Sequence, residues 1–404
     1  MIVKRLLILF ITLTLCTGYA NAEEYVTLAQ LREQAAAGWN ETYEAMGREV
    51  VADPEMGWFP EADTCPLVTV DPYTIDPKDE RVDKWRELSH SIIYDDLPDR
   101  IVLEVRNYKK FDLIPLGSWR GKWLSSYDSF YDGEFPDREA EDCDIDFKTF
   151  LAMFESELLA FTGLTLDDVH IEEIQVSDPA YKGIKVDGEY VRGDKLSAAG
   201  GYFIAVHQLV HGIPVLGARD AYDKGRIQFD YNMPDYRSMC IWSVANPVVT
   251  EADVPLLSFN GFKGKLEELI YAGKLRGVDA MRFGYGTCRD GDEWKLVPVW
   301  IVTCGYTNNP KSDKNVMGYY DEKEGGFFSP LGYGDYYFSA QTGEMLEQYA
   351  ISPAEDALRM PEILTWSDVK KNKEERLYEE SAMYAVGYDT LCRMCLCRGI
   401  CVGC

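Results

Sequence analysis

The segment Gly201–Gly217, GYFIAVHQLVHGIPVLG, constrains what this chain can fold into more than any other stretch. It is apolar almost throughout, and Gly200-Gly201 with Gly212-Ile213-Pro214 at its ends argue for a strand over a helix. It is echoed at Trp294–Cys304, WKLVPVWIVTC, and each copy runs into or through a proline step, IPV or VPV. Each copy also follows a compact amphipathic helix and an earlier strand. The chain therefore reads as repeated α+β units.

The first unit, residues 146–247, opens on a helix. Phe147, Phe150, Leu151, Phe154, Leu158 and Phe161 fall on one face at helical spacing, Asp144 or Asp146 can cap the start, and Gly163 stops it. Val169–Val176, Tyr202–Val210 and Arg226–Tyr231 follow as strands. The second unit, residues 255–351, repeats the order. Ser258 or Asn260 opens a helix with Phe262, Leu266, Leu269 and Ile270, and Gly273 closes it. Val278–Tyr285, Trp294–Cys304 and Tyr336–Ala340 are its strands, and Gln341-Thr342-Gly343-Glu344 is a tight turn leading into Met345–Tyr349. Helices followed by meandering strands predict an α+β fold, each unit a helix packed on a small antiparallel sheet, not a doubly wound sheet. Ahead of these units lie an N-terminal α+β region, 23–106, with Thr27 as a helix cap, and an aromatic and acidic connector, 107–145. Behind them lie a helical region, 352–391, with an incomplete echo of the second unit near Ala382–Arg393, and a Cys-rich tail, 392–404.

The start of the chain predicts the compartment. Lys4 and Arg5, the apolar run Leu6–Leu15 and the small-x-small site Ala20-Asn21-Ala22 make residues 1–22 a secretory signal peptide. Lipidation at Cys16 ranks second, because Leu15 stands where a small residue is wanted. No later run is long and apolar enough to span a membrane, so the expectation is an extracytoplasmic protein without an anchor after cleavage. A formal net charge of −27, with no basic stripe to offset it, argues against nucleic-acid partners. Hydrophobic content of 46% supports real cores.

Three constellations could carry chemistry. His207 and His211 share the spacing of the H-E-x-x-H zinc-peptidase motif, and a zinc-dependent hydrolase is one alternative function. Gln208 stands where that motif needs a glutamate base, and on a strand the two imidazoles would lie about 13 Å apart. Cys392, Cys395, Cys397, Cys401 and Cys404 have the density of a soft-metal site, a disulfide cluster or the product of a truncated reading frame. Asp142, Asp144 and Asp146 begin like a calcium loop, but Phe147 and Met153 fall where glycine and glutamate are required. Among the other cysteines, Cys288 and Cys304 flank a hairpin and are the first candidates for a bridge. No nucleophile elbow, phosphate loop or dinucleotide fingerprint occurs, and no cofactor is implied.

Two aromatic segments offer binding surfaces: Trp119, Trp123 and Tyr127 in the connector, and Tyr319, Tyr320, Phe327 and Phe328 in the long insertion before Asp335. The text Y-x-x-x-x-H-Q-x-V-x-G-I-P-V in one unit, with L-V-P-V-W and S-A-Q-T-G-E-M-L in the other, resembles the PepSY-like fold, and specifically secreted bacterial proteins with tandem PepSY-like units. That resemblance implies binding or inhibition without turnover, with an extracellular peptide or protein as partner, and carries over no catalytic residue. The Cys-rich tail departs from it. A cell-surface or cell-wall glycan binder using the aromatic segments is the remaining alternative.

Overall fold

The computed structural model describes residues 24–73, 79–82, 101–106, 123–124, 127–179, 181–187, 189–195, 200–216, 226–231, 236–241, 243–291, 293–306, 319–321, 326–328, 332–346 and 362–371. The fold is mixed α+β, with mostly antiparallel sheets and few helices.

Three helices are started by their own side chains. Helix α1, Leu28–Ala35, begins with a capping box between Thr27 and Gln30. In α2, Phe147–Thr162, the Asp146 carboxylate accepts from Thr149 N at 2.7 Å, and the chain turns away at Gly163. In α3, Phe259–Tyr271, Ser258 Oγ accepts from Gly261 N at 3.1 Å. Asp146 is thus the cap among the two expected, and Asp144 instead accepts from the Tyr231 hydroxyl.

The first large sheet has the order β5 (Ile101–Arg106), β14 (Tyr236–Ile241), β13 (Arg226–Tyr231), β11 (Gly201–Val210), β8 (Val169–Ser177) and β7 (Tyr127–Tyr131). All these neighbours are antiparallel. Burial alternates along β13, the sign of a strand with one face on a core. That face receives Phe147, Phe150, Phe154, Leu158 and Phe161 of α2, packed on Ile174, Tyr202, Ile204, Ile227 and Phe229. A smaller sheet of β6 (Trp123–Leu124), β9 (Tyr181–Val186) and β10 (Glu189–Lys195) accompanies it.

The second large sheet has the order β15 (Val244–Glu251), β4 (Leu67–Pro72), β18 (Glu293–Tyr306), β17 (Val278–Asp290), β3 (Arg48–Met56) and β2 (Glu41–Ala45). The edge of β18 opposite β17 is shared: β4 pairs with Trp294–Leu296, and β21 (Gly332–Ser339) pairs with Val299–Tyr306. One face carries α1 and α3, where Trp300 stacks on Phe262 at 5.4 Å and meets Phe283 edge-on at 5.3 Å. The other face buries Cys288, Val297, Val299, Ile301 and Tyr337 beneath Leu216, Leu346 and Ile363. Burial on both faces is why β18 reads as continuous apolar text instead of alternating. Two short pairings complete the set: β1 (Tyr25–Val26) with β16 (Leu256–Leu257), and β19 (Tyr319–Asp321) with β20 (Gly326–Phe328).

Residues expected as one N-terminal region are divided between the sheets: α1 and β2–β4 belong to the second, β5 to the first. The expected connector contributes β6 and β7 as strands. Downstream, Gln341 holds residue 364 through both of its amide atoms, docking the 362–371 segment.

The segment Gly201–Leu216 joins the two sheets. Val210 pairs with Ile213 across a two-residue loop, His211 at φ 52° and Gly212 at φ 75°, the positive-φ pair of a type I′ hairpin turn. Strand β12 (Ile213–Pro214) returns along β11, and the next residue crosses over: Val215 bridges Tyr285 of β17, and Leu216 N donates to Tyr285 O at 2.8 Å. Gly284 permits this approach, since a Cβ there would lie 2.5 Å from Pro214 O. The buried Gln208 amide adds a second tie, accepting from Val244 N at 2.8 Å and donating to Val244 O at 3.0 Å.

Candidate functional site

Charged and aromatic side chains from both sheets meet beside this crossover. From the first sheet come His170 and Glu172 on β8, His207 on β11 and Arg226 on β13; from the second come Trp58 just after β3, Arg282 on β17, Thr303 on β18 and Asp335 on β21.

Glu172 is the centre. Its carboxylate lies 2.8 Å from Arg282 Nη1, 2.6 Å from Arg226 Nε and 3.3 Å from His207 Nε2. The Arg226 Nε and His207 Nε2 approaches are charge contacts off the hydrogen-bonding direction, whereas Arg282 Nη1 is an aligned donor. Burial works to raise the Glu172 pKa, but the His207 contact and charge, then Arg226 and Arg282, outweigh it and hold the carboxyl well below the usual range. Arg282 also reaches Asp335 at 2.8 Å, and Asp335 accepts from the Thr303 hydroxyl, so one guanidinium ties the two sheets. Gly57 makes room for it: a Cβ there would stand 2.9 Å from Arg282 Cγ.

The histidines divide the work. His207 and His170 are directly opposite in the β11–β8 register. His207 is 4% exposed, and its Nδ1 donates to Val215 O at 3.0 Å, so the ring also fastens the crossover. His170 stacks on Trp58 with centroids 4.2 Å apart and planes 16° from parallel. Its Nε2 is 3.7 Å from Asp132. Burial first, then the facing His207, push the His170 pKa down against Asp132 and Glu172.

The expected sites fall as follows. His207 lies within β11 while His211 is exposed in the hairpin turn, so the pair does not share a helical turn, and the zinc-hydrolase geometry is absent. No group of three or more His, Cys, Asp or Glu placed to hold a metal ion occurs among the described residues. The Cys288–Cys304 bridge is corrected by the register. Cys288 faces Lys295, and from Lys295 to Cys304 along one strand is about 30 Å, far beyond the ~6 Å a disulfide allows. The two thiols also point to opposite faces of the sheet, Cys304 into the helix-covered core and Cys288 into the other. Tyr127 is 64% exposed on β7, with Tyr131 of the same strand also exposed. Trp123 belongs to β6, and register places Tyr319 opposite Phe328 and Tyr320 opposite Phe327. Residues 1–22 with Cys16, Trp119, the echo near Ala382–Arg393 and the thiols Cys392, Cys395, Cys397, Cys401 and Cys404 lie outside the described residues. Among the described residues no helix is long and apolar enough to cross a membrane.

Sequence reading missed His170, Glu172, Arg226, Arg282 and Asp335. The signal available was ionisable residues inside otherwise apolar strands, VHIEEIQV and AMRFGY, which marks a strand face meeting other charges but not which ones.

The sequence matches no known protein-family model and no curated protein. Among solved structures, an uncharacterized protein from Eubacterium rectale ATCC 33656 aligns with 80% of this chain and 98% of its own, at a TM-score of 0.43 and 12% identity. YycH from Bacillus subtilis aligns with 68% of this chain and 57% of its own, at a TM-score of 0.25 and 11% identity. Neither likeness is high enough to assign a family or a role.

Proposed function

We propose that this chain is a secreted, non-catalytic binding or regulatory protein of tandem PepSY-like units whose ligand is an extracellular peptide or protein. The observation that carries the reading is how the ionisable groups are used. At the junction each carboxylate among the described residues faces a guanidinium or an imidazole, and the one hydroxyl described there, Thr303, donates to Asp335, a carboxylate already held by Arg282. Aromatic side chains are exposed elsewhere: Tyr127 and Tyr131 stand on β7, which pairs only with β8 among the described strands. A terminal strand with exposed rings suits an extended peptide, which gains main-chain hydrogen bonds and ring contacts together. The order of helix, then antiparallel strands, occurring at α2 and again at α3, supports the tandem-unit part of the reading. The ligand-contact set we propose is Trp119, Trp123 and Tyr127, with Tyr319, Tyr320, Phe327 and Phe328 of the insertion.

The test pairs two assays on the mature chain. Selection from a displayed peptide library should yield sequences whose affinity falls at least tenfold in a Tyr127→Ala, Tyr131→Ala double variant. Selective binding of oligosaccharides or cell-wall fragments, with no peptide enriched, would replace the peptide ligand by a glycan. Steady turnover of peptide or glycoside substrates would overturn the non-catalytic assignment.

A further inference from the structure

His170 occupies an unusual position for an ionisable group. It sits on β8 of the first sheet, yet its ring lies flat against Trp58, which follows β3 of the second sheet by two residues. Trp58 is firmly placed there: Gly57 N donates to Met281 O at 3.0 Å, and Phe59 stacks on Phe283 at 5.1 Å. The stack is therefore a contact between the two sheets, two residues along β8 from the Glu172–Arg282 bridge that serves the same purpose.

The groups facing His170 come from each element around it. Across the strand pair, β11 presents His207, whose side chain is buried. Glu172 follows on β8 itself, already contacted by Arg226 of β13 and Arg282 of β17. Asp132, in the turn after β7, is 3.7 Å away but 55% exposed, so solvent weakens its compensation. Trp58 offers an aromatic face that favours a cation. Against Asp132 and Trp58 stand the burial of the ring and the like charge of His207.

We propose that His170 is an acid-sensitive latch between the two sheets: neutral, it seats Trp58 and keeps the junction closed, and on taking a proton it loosens the stack and the Glu172–Arg282 bridge beside it. The direction of its pKa shift supports the geometry. The ordinary histidine value is 6.5 and the shift is downward. An opened junction then binds the proton more readily than the closed one, so acidification below about 6.5 favours opening. Each unit of separation between the two values shifts the closed–open balance by about tenfold once both are passed. On the secreted reading proposed above, the chain meets such pH changes directly, and the charge change of a histidine falls within that range.

The experiment uses the full mature chain. Tryptophan emission is followed from pH 8 to pH 4.5 in the wild type and in Trp58→Phe, and the difference isolates Trp58. The expected result is a reversible step with a midpoint below about 6.5 that disappears in His170→Gln. Amide exchange, corrected for intrinsic rates, should rise in parallel along β8 and β17 in the wild type and not in His170→Gln. An unchanged step in His170→Gln, or no step in the wild type, overturns the latch. NMR titration of the His170 ring in the wild type needs no variant to fold, and a midpoint at or above 6.5 would equally overturn it.

Discussion

Glu172 gives the sharpest test of how the two sheets are held. Replacing it with glutamine keeps the shape and removes the charge that faces Arg282 at 2.8 Å, Arg226 at 2.6 Å and His207 at 3.3 Å. Removing one partner from a buried ionic network costs about 3–5 kcal/mol, because the remaining charges stay desolvated. Two features reduce that figure here. Arg282 keeps Asp335 at 2.8 Å and is 31% exposed, and Arg226 retains a weaker contact with Glu173 at 3.9 Å. The expected loss for Glu172→Gln is therefore about 2–3 kcal/mol, read from urea unfolding at pH 7.5. Pairing it with Arg282→Met should cost less than the sum of the single changes, by about 1 kcal/mol or more, since the second change removes one stranded charge. A loss of about 0.5 kcal/mol or less, with additive singles, would mean that water reaches the junction and that it behaves as an exposed ion pair.

The same carboxylate fixes a pH dependence. Its pKa is lowered on folding, so the unfolded chain binds the proton more readily; the stability is complete above the ordinary value of 4.5 and is lost as pH falls below it, a slope that Glu172→Gln should flatten in unfolding measured at pH 6, 5, 4 and 3. Gly284→Ala sets a methyl group 2.5 Å from Pro214 O and should destabilise by about 1–3 kcal/mol while raising amide exchange at Val215 and Leu216; a thermal midpoint equal to wild type would refute the close approach. Proteolytic mapping of unreduced, alkylated protein should recover no peptide linking Cys288 to Cys304, and finding one would contradict the β17–β18 register.

Helices were legible because their signal is local. Phe147, Phe150, Phe154 and Phe161 repeat at helical spacing, and Asp146 and Ser258 sit where caps belong. The β11, β17 and β18 strands were legible because they are long and apolar. The hairpin of β9 and β10 carried a signal that the reading passed over: Asp187-Gly188 between alternating residues, with Glu189 pairing Val186 and Asp187 at φ 50°. Pairing partners were not legible at all. Alternation tells which face of β3 is buried, but nothing local says that it lies parallel to β17, or that β4 and β21 divide one edge of β18. The proposed bridge failed for the same reason: Cys288 and Cys304 flank one hairpin in sequence, while pleat and register send them to opposite faces.

The charged junction follows from that non-local pairing and explains its own composition. The crossover packs Val215 and Leu216 into the apolar clusters of the second sheet and brings the ends of β8, β11 and β13, with their charged side chains, against β17 and β21. The apolar contact of Val215 and Leu216 buries surface regardless of pH, so it holds the crossover itself under all conditions. An ionic contact, in contrast, is stable only while each charge keeps its partner, and its desolvation cost leaves a small net free energy. His170 lies against that small margin, stacked on the opposite sheet through Trp58 and opposed by His207. A single proton there acts on a contact worth a few kcal/mol instead of on a whole core, and that is the condition under which one titrating side chain can change how two sheets are joined.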